Sequence, residues 1–241
     1  LSRRGVMLTN TPDVLTETTA DTGFALILAT ARRVVELANW VRDGRWQANL
    51  GPAHFGSDVH GKTLGIVGMG RIGEALARRA AAGFGMRVLY HSQRAKPEVE
   101  ARYAACQCSL DELLQQADFV CLTVPLSAST EGLIGARELA LMKPEAILVN
   151  ISRGRVVDEQ ALIEALRARR IRGAGLDVFE GEPKVHPDLL TVPNVVLTPH
   201  IASATLKTRR AMADLAADNL IAYLTRGEAL TPLNAGLPNP R

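Results

Sequence analysis

Cysteine is scarce in this chain, with three among 241 residues, at positions 106, 108 and 121. An odd number in a chain of this length is no disulfide framework. Cys106 and Cys108 form C-x-C with neither a second ligand pair nor a histidine at zinc spacing. A reduced, cytoplasmic protein with no metal site is the expectation. Aromatic residues amount to 4%, and no Lys/Arg cluster alternates with them, which argues against a stacking surface for nucleic acid. The net charge of +3 is too small to call for a polyanionic partner. No apolar run approaches the roughly 20 residues of a membrane-spanning helix, and the first residues carry no signal-peptide pattern. Internal repeats and low-complexity segments are lacking as well.

What remains is an ordinary globular composition, 47% hydrophobic and 22% charged, enough for one large α/β domain or one domain and part of another. Short apolar runs at 63–67, 86–90, 119–124, 146–151, 173–178 and 195–198 alternate with helical patterns at 74–83, 97–103, 111–116, 136–142 and 158–169. Near-continuous apolar strands between helices of about ten residues predict a parallel sheet covered on both faces, a doubly wound, Rossmann-like α/β fold. Residues 6–9 read as a further short strand. A long apolar helix is predicted over about 17–41, capped by Thr16 or Thr18, with Phe24, Leu28 and Val35 buried as core or at a subunit interface. A final helix spans about 205–224, and the tail after Gly227, with Pro232, Pro238 and Pro240, reads as irregular. The expected division is a dinucleotide-binding domain at 1–205 and a C-terminal helix and tail at 206–241.

The most informative stretch is LGIVGMGRIG at 64–73. An apolar strand runs into Gly68-x-Gly70-Arg71-Ile72-Gly73, and an Ala-rich helix follows. Strand, glycine turn and helix are the context in which G-x-G-x-x-G signals a dinucleotide site. The first glycine makes the tight turn, the second admits a pyrophosphate against the backbone, and the third lets helix and strand pack closely. The helix start presents N–H groups and a positive dipole end to the phosphates. An acidic residue about 20 positions on usually holds the ribose 2′-hydroxyl. Here the second strand ends Ser92-Gln93-Arg94, with Lys96 near and no carboxylate to repel a 2′-phosphate. This favours NADP(H), with NAD(H) as the alternative.

Three polar residues follow successive strand ends, where ligands lie in open α/β sheets. They are Arg153 in NISRGRVVDEQAL, Glu182 in GAGLDVFEGEP and His200 in LTPHIAS. Taken singly, each reads equally as a surface charge, a turn cap or a structural histidine. Together with LGIVGMGRIG, these four motifs in order resemble the D-isomer-specific 2-hydroxyacid dehydrogenases over residues 6 to 235. TNTPDVLTE, DFVCLTVPL and the basic residues after the second strand are most similar to the glyoxylate/hydroxypyruvate and 2-ketogluconate reductase branch.

The resemblance implies an NAD(P)-dependent reductase of small 2-oxo acids. Arg153 would bind the substrate, since a planar guanidinium grips a carboxylate and carbonyl with paired hydrogen bonds. His200 would be the acid/base, and Glu182 would fix its tautomer. Thr123, Pro125, Ile151 and Ser203 would line the cofactor groove, and Asp177 would sit near the nicotinamide carboxamide or cap the following turn. The family also implies a homodimer through the helix before Trp40, and a substrate domain formed mostly from an N-terminal segment. This chain opens Leu1-Ser2-Arg3-Arg4, at what looks like the start of the cofactor domain. The substrate domain is therefore expected to be largely absent. The alternative readings are a truncated nucleotide-binding fragment with little turnover and a corepressor-like binding protein, as some relatives are. Neither a membrane nor a nucleic-acid partner is expected.

Overall fold

Seven parallel strands in the order β3-β2-β1-β4-β5-β6-β7 form the centre of the computed structural model, which describes residues 1–192 and 194–234. The strands are β1 (Thr63–Val67), β2 (Arg87–His91), β3 (Cys106–Gln107), β4 (Phe119–Leu122), β5 (Ile147–Asn150), β6 (Gly173–Leu176) and β7 (Val195–Leu197). Because every neighbour is parallel, all seven carboxyl ends open on one edge of the sheet. The order reverses between β1 and β4, which makes the crevice there the topological switch point.

Successive side chains of a strand alternate faces, and the core divides accordingly. Phe119, Cys121, Ile147 and Val149 join one buried cluster with Phe24, Ile27 and Leu76 from α1 (Thr16–Ala31) and α3 (Arg71–Arg78). Val120, Leu122 and Leu148 join the other, with residues of α5 (Leu110–Gln116), α6 (Ala136–Leu141) and α7 (Glu159–Arg167). The sheet is thus covered on both faces, as the apolar runs require.

Several elements differ from the sequence-based expectation. The single helix over 17–41 is two helices, α1 and α2 (Val34–Arg42). The chain leaves α1 at Arg33, whose φ of 54° is left-handed. The Arg33 guanidinium donates to both carboxylate oxygens of Glu36 at 2.8 and 2.7 Å and to the Ala53 carbonyl at 2.6 Å. No residue of α2 is buried, so Val35, expected in the core or at a subunit interface, is exposed in the chain, while Phe24 is buried. Trp46 and Phe55, in the segment leading to β1, are exposed too.

The helix expected from residue 74 begins at Arg71, directly after the glycines, and passes into a single π turn at Arg79–Gly83. Helix α4 (Pro97–Tyr103) falls at its expected bounds. The C-x-C pair, given no element in the sequence reading, lies on and beside β3, which has only two residues. Residues 6–9 contribute an isolated antiparallel bridge between Thr9 and Pro232 instead of a strand.

The molecule divides into two compact units, Ala20–Ala202 and Leu1–Thr19 with Ser203–Arg241. The first holds the sheet. In the second, α8 (Leu206–Arg226) is capped by the Thr205 hydroxyl. Leu206, Leu220, Ile221 and Leu224 of that helix are exposed. Asn219, buried in α8, holds Thr231 through the Thr231 amide at 2.8 Å. Pro238 and Pro240 lie outside the described residues.

Candidate active site

The glycine turn comes first along the carboxyl edge. Gly68 has φ 103°, a conformation that a residue with a side chain rarely adopts. A Cβ on Gly73 would stand 2.4 Å from the Gly68 carbonyl, and one on Gly70 would meet nothing within 4 Å. Gly73 is therefore needed for the turn to close, whereas Gly70 leaves open space where a side chain would project. No side chain caps the start of α3. This is what a dinucleotide pyrophosphate needs: backbone it can approach at the start of a helix. The turn is fastened from β4, where the Thr123 hydroxyl donates to the Gly68 carbonyl at 2.6 Å and Val124 packs against Gly68. Pro125 follows, exposed.

At the end of β2, Ser92 is partly buried and Gln93 and Arg94 are exposed. The Ser92 hydroxyl donates to the Arg94 carbonyl, closing a small loop. Ile151, expected in the groove, is 6% exposed and packs towards Gly23 of α1. Ser203 lies in the other compact unit, ahead of α8.

Arg153 is placed by a buried polar residue that the sequence reading did not single out. Asn150, the last residue of β5 and 1% exposed, accepts from the Ser152 amide at 3.0 Å and the Ser152 hydroxyl at 2.7 Å. It also donates to the Arg153 carbonyl at 3.0 Å. A buried amide with its hydrogen bonds satisfied fixes a loop, because leaving any of them unmade costs about 1–3 kcal/mol. The signal available in the sequence was a lone polar residue closing an apolar strand. Arg153 itself is exposed. The next residue, Gly154, has no room for a side chain, since its Cβ would come within 2.0 Å of the Phe179 carbonyl oxygen. The loop after β5 therefore rests backbone to backbone on the segment leading to Glu182.

Glu182 accepts from the Phe179 amide at 2.8 Å and pairs with His200 Nδ1 at 2.6 Å. Burial pushes its carboxyl pKa up, but the His200 and Phe179 hydrogen bonds and the positive charges of His200 and Arg153 outweigh that. The group is held below the ordinary value of 4.5. An ionised carboxylate only accepts, so His200 Nδ1 carries the proton of this bond and Nε2 is the nitrogen left for chemistry. The imidazole is 47% exposed, open to a ligand.

His200 sits in a strained turn, with φ 53° and its amide bonded to the Thr198 carbonyl at 3.0 Å. Asp177, wholly buried at the end of β6, holds that turn from both sides. It accepts from the Thr198 hydroxyl at 2.6 Å and from the Ile201 and Ala202 amides at 2.8 and 2.9 Å. In this structure the Asp177 carboxylate holds the histidine turn. Among the described residues no group of His, Cys, Asp and Glu is arranged to hold a metal ion, and no helix is long and apolar enough to cross a membrane.

Comparison with known proteins agrees with this geometry. The sequence profile of the D-isomer specific 2-hydroxyacid dehydrogenase NAD binding domain matches residues 24–202. The chain is 60% identical over 222 residues to a glyoxylate/hydroxypyruvate reductase B of Klebsiella pneumoniae, covering 92% of this chain and 69% of that protein. A protein of the same name from Escherichia fergusonii is also 60% identical, over 225 residues, with 93% and 69% covered. Among solved structures, the TT0316 protein of Thermus thermophilus superposes with a TM-score of 0.90 at 49% identity, over 97% of this chain and 73% of that one. An NADPH-dependent glyoxylate/hydroxypyruvate reductase from Sinorhizobium meliloti, in complex with NADP and malonate, superposes with a TM-score of 0.90. It is 42% identical, with 100% and 74% covered. The glycine turn, the paired histidine and carboxylate and the matched sequence all lie in one compact unit. This chain belongs to the D-isomer-specific 2-hydroxyacid dehydrogenase family of oxidoreductases and carries that family's NAD-binding domain.

Proposed function

We propose that the protein reduces a small 2-oxo acid, such as glyoxylate, hydroxypyruvate or 2-ketogluconate, to the D-2-hydroxy acid with NADPH. The observation that carries this reading is the 2.6 Å pair of His200 Nδ1 and Glu182. It leaves one protonatable ring nitrogen facing outward, on the sheet edge that also bears Arg153. A bound nicotinamide dinucleotide supplies the hydride. Arg153 holds the substrate carboxylate and carbonyl oxygen, which polarises the carbonyl and orients C2. His200 holds a proton at Nε2 and gives it to the carbonyl oxygen as C2 is reduced, then recovers one from solvent. Glu182 keeps the ring in the required tautomer and stabilises the imidazolium between turnovers. Gly68, Gly70, Arg71, Ile72 and Gly73 bind the pyrophosphate, and Thr123, Pro125 and Ile151 line the groove.

The absence of a carboxylate in Ser92-Gln93-Arg94 supports NADP(H) over NAD(H), as does the likeness to an NADPH-dependent reductase. In this reading residues 1–205 are the dinucleotide-binding domain, and 206–241 return to a substrate domain. The exposed Val34, Val35, Val41 and Trp46 support a homodimer through α2 and the segment after it. The free cysteines suit a cytoplasmic enzyme. The test is to mix the full-length protein with NADPH and each of the three acids and follow loss of nicotinamide absorbance. Oxidation with at least one is expected, and none with any would overturn the substrate class.

A further inference from the structure

The loop from Ser92 to Lys96 is fastened at both ends by side chains that the proposed reaction does not use. Tyr90, on β2 next to the edge strand, is wholly buried, yet its hydroxyl reaches the outer end of the loop. There it accepts from the Lys96 amide at 2.8 Å and donates to Glu100 of α4 at 2.5 Å. Burial and the Glu100 carboxylate push its pKa up, so the hydroxyl remains a donor at neutral pH. At the inner end, the Gln107 amide on β3 donates to the Ser92 carbonyl at 3.0 Å. The two-residue strand is kept in place by the Cys108 amide on the Tyr90 carbonyl at 3.0 Å, with His91 Nδ1 against the Cys108 carbonyl at 3.2 Å. Between these anchors Arg94 and Lys96 are exposed.

We propose that Tyr90 and Gln107 are specificity-positioning residues, which hold the loop in the shape that lets Arg94 and Lys96 receive the 2′-phosphate of an adenine dinucleotide. The inference rests on the NADPH reading above. Its physical content is conformational entropy: a loop freed at either end must be ordered again on binding, and that cost is charged against affinity. The glycine turn grips the pyrophosphate of NADPH and NADH alike. In the Ser92–Lys96 loop, Arg94 and Lys96 would face the 2′-phosphate that NADPH has in addition. Loosening it should therefore penalise ligands with a 2′-phosphate selectively, whereas a general loss of packing would weaken all adenine nucleotides together.

The experiment is calorimetric titration of the full-length protein with 2′,5′-ADP and with 5′-AMP, for wild type, Tyr90→Phe, Gln107→Leu and Arg94→Ala. Tyr90→Phe removes one oxygen and keeps the ring in the core. Gln107 is exposed, so its variant keeps the proposal testable if the tyrosine variant folds poorly. Each positioning variant is expected to weaken 2′,5′-ADP by about three- to tenfold, the scale of one lost hydrogen bond, and 5′-AMP by less. Arg94→Ala should weaken 2′,5′-ADP more strongly than either. If Arg94→Ala lowers that affinity and neither positioning variant does, this inference fails and the NADPH reading stands. Equal losses for the two ligands also overturn it, because they mark a role in folding alone. An unchanged 2′,5′-ADP affinity in Arg94→Ala overturns the NADPH reading and this inference with it.

Discussion

The turn after β1 is made of main chain, whereas the corner at the ends of β5, β6 and β7 is made of side chains that main chain holds in place. At the turn, Gly68, Gly70 and Gly73 matter for what they lack, and any added atom is a loss. At the corner, Arg153, Glu182 and His200 matter for what they carry, and the loss comes from taking atoms away. The supports differ in kind too. The turn is closed by a hydroxyl, that of Thr123 on Gly68. The corner depends on the buried Asn150 and Asp177, which make three bonds each to the loops bearing Arg153 and His200. Nucleotide affinity and chemical rate should therefore be separable by mutation, though both sites share one sheet edge.

The largest effect belongs to the corner. His200→Ala should lower kcat by roughly 10²- to 10⁴-fold, the usual contribution of a positioned acid/base, while NADPH affinity measured by fluorescence titration holds. Equal loss in both would erase the distinction between the two sites. Arg153→Lys comes next. A lysine keeps the charge but cannot form the paired geometry, so steady-state kinetics should show KM for the 2-oxo acid rising about tenfold or more, a loss of order 1.4 kcal/mol.

The second and third glycines then sharpen the comparison within the turn. Gly73→Ala forces its Cβ to 2.4 Å from a carbonyl and should destabilise the fold by about 1–3 kcal/mol, as overpacking does. Gly70→Ala meets no atom within 4 Å, so its melting temperature should match wild type while nucleotide affinity falls. A matching loss of stability in both variants would contradict the open space at Gly70.

The pH dependence should be the subtlest of these effects. The Glu182 carboxyl is held below 4.5, so its pairing with His200 is complete above that pH and is lost as pH falls through the depressed value. The acid limb of kcat/KM should lie below pH 4.5 in this part of the profile, and Glu182→Gln, which cannot titrate, should lack it.

Much of this was legible in the sequence because the informative residues sit at strand ends, where short apolar runs change abruptly to polar ones. Arg153, Glu182 and His200 stood out for that reason, and Gly68, Gly70 and Gly73 because strand and helix flank them. The supports were harder to see. Asn150 looks like one more polar residue at a strand end, and the Thr198, Ile201 and Ala202 groups that Asp177 holds come from a different strand end. The break at Arg33 carries neither glycine nor proline, so periodicity ran through it, and only the Glu36 and Ala53 contacts explain it. Strand β3 is two residues long and has no period to read.

One consequence follows from the left-handed backbone at His200. Its φ of 53° is one that asparagine and glycine adopt at lower cost than histidine, by roughly 1 kcal/mol. His200→Asn relieves that backbone cost but also removes the 2.6 Å pair with Glu182, so the thermal midpoint should change little while turnover is lost, and a large fall in the midpoint would refute this. Here backbone conformation and reactivity pull in opposite directions at a single residue. A library selected only for folded, heat-resistant protein would have no reason to keep the imidazole, whereas the proposed reaction requires it.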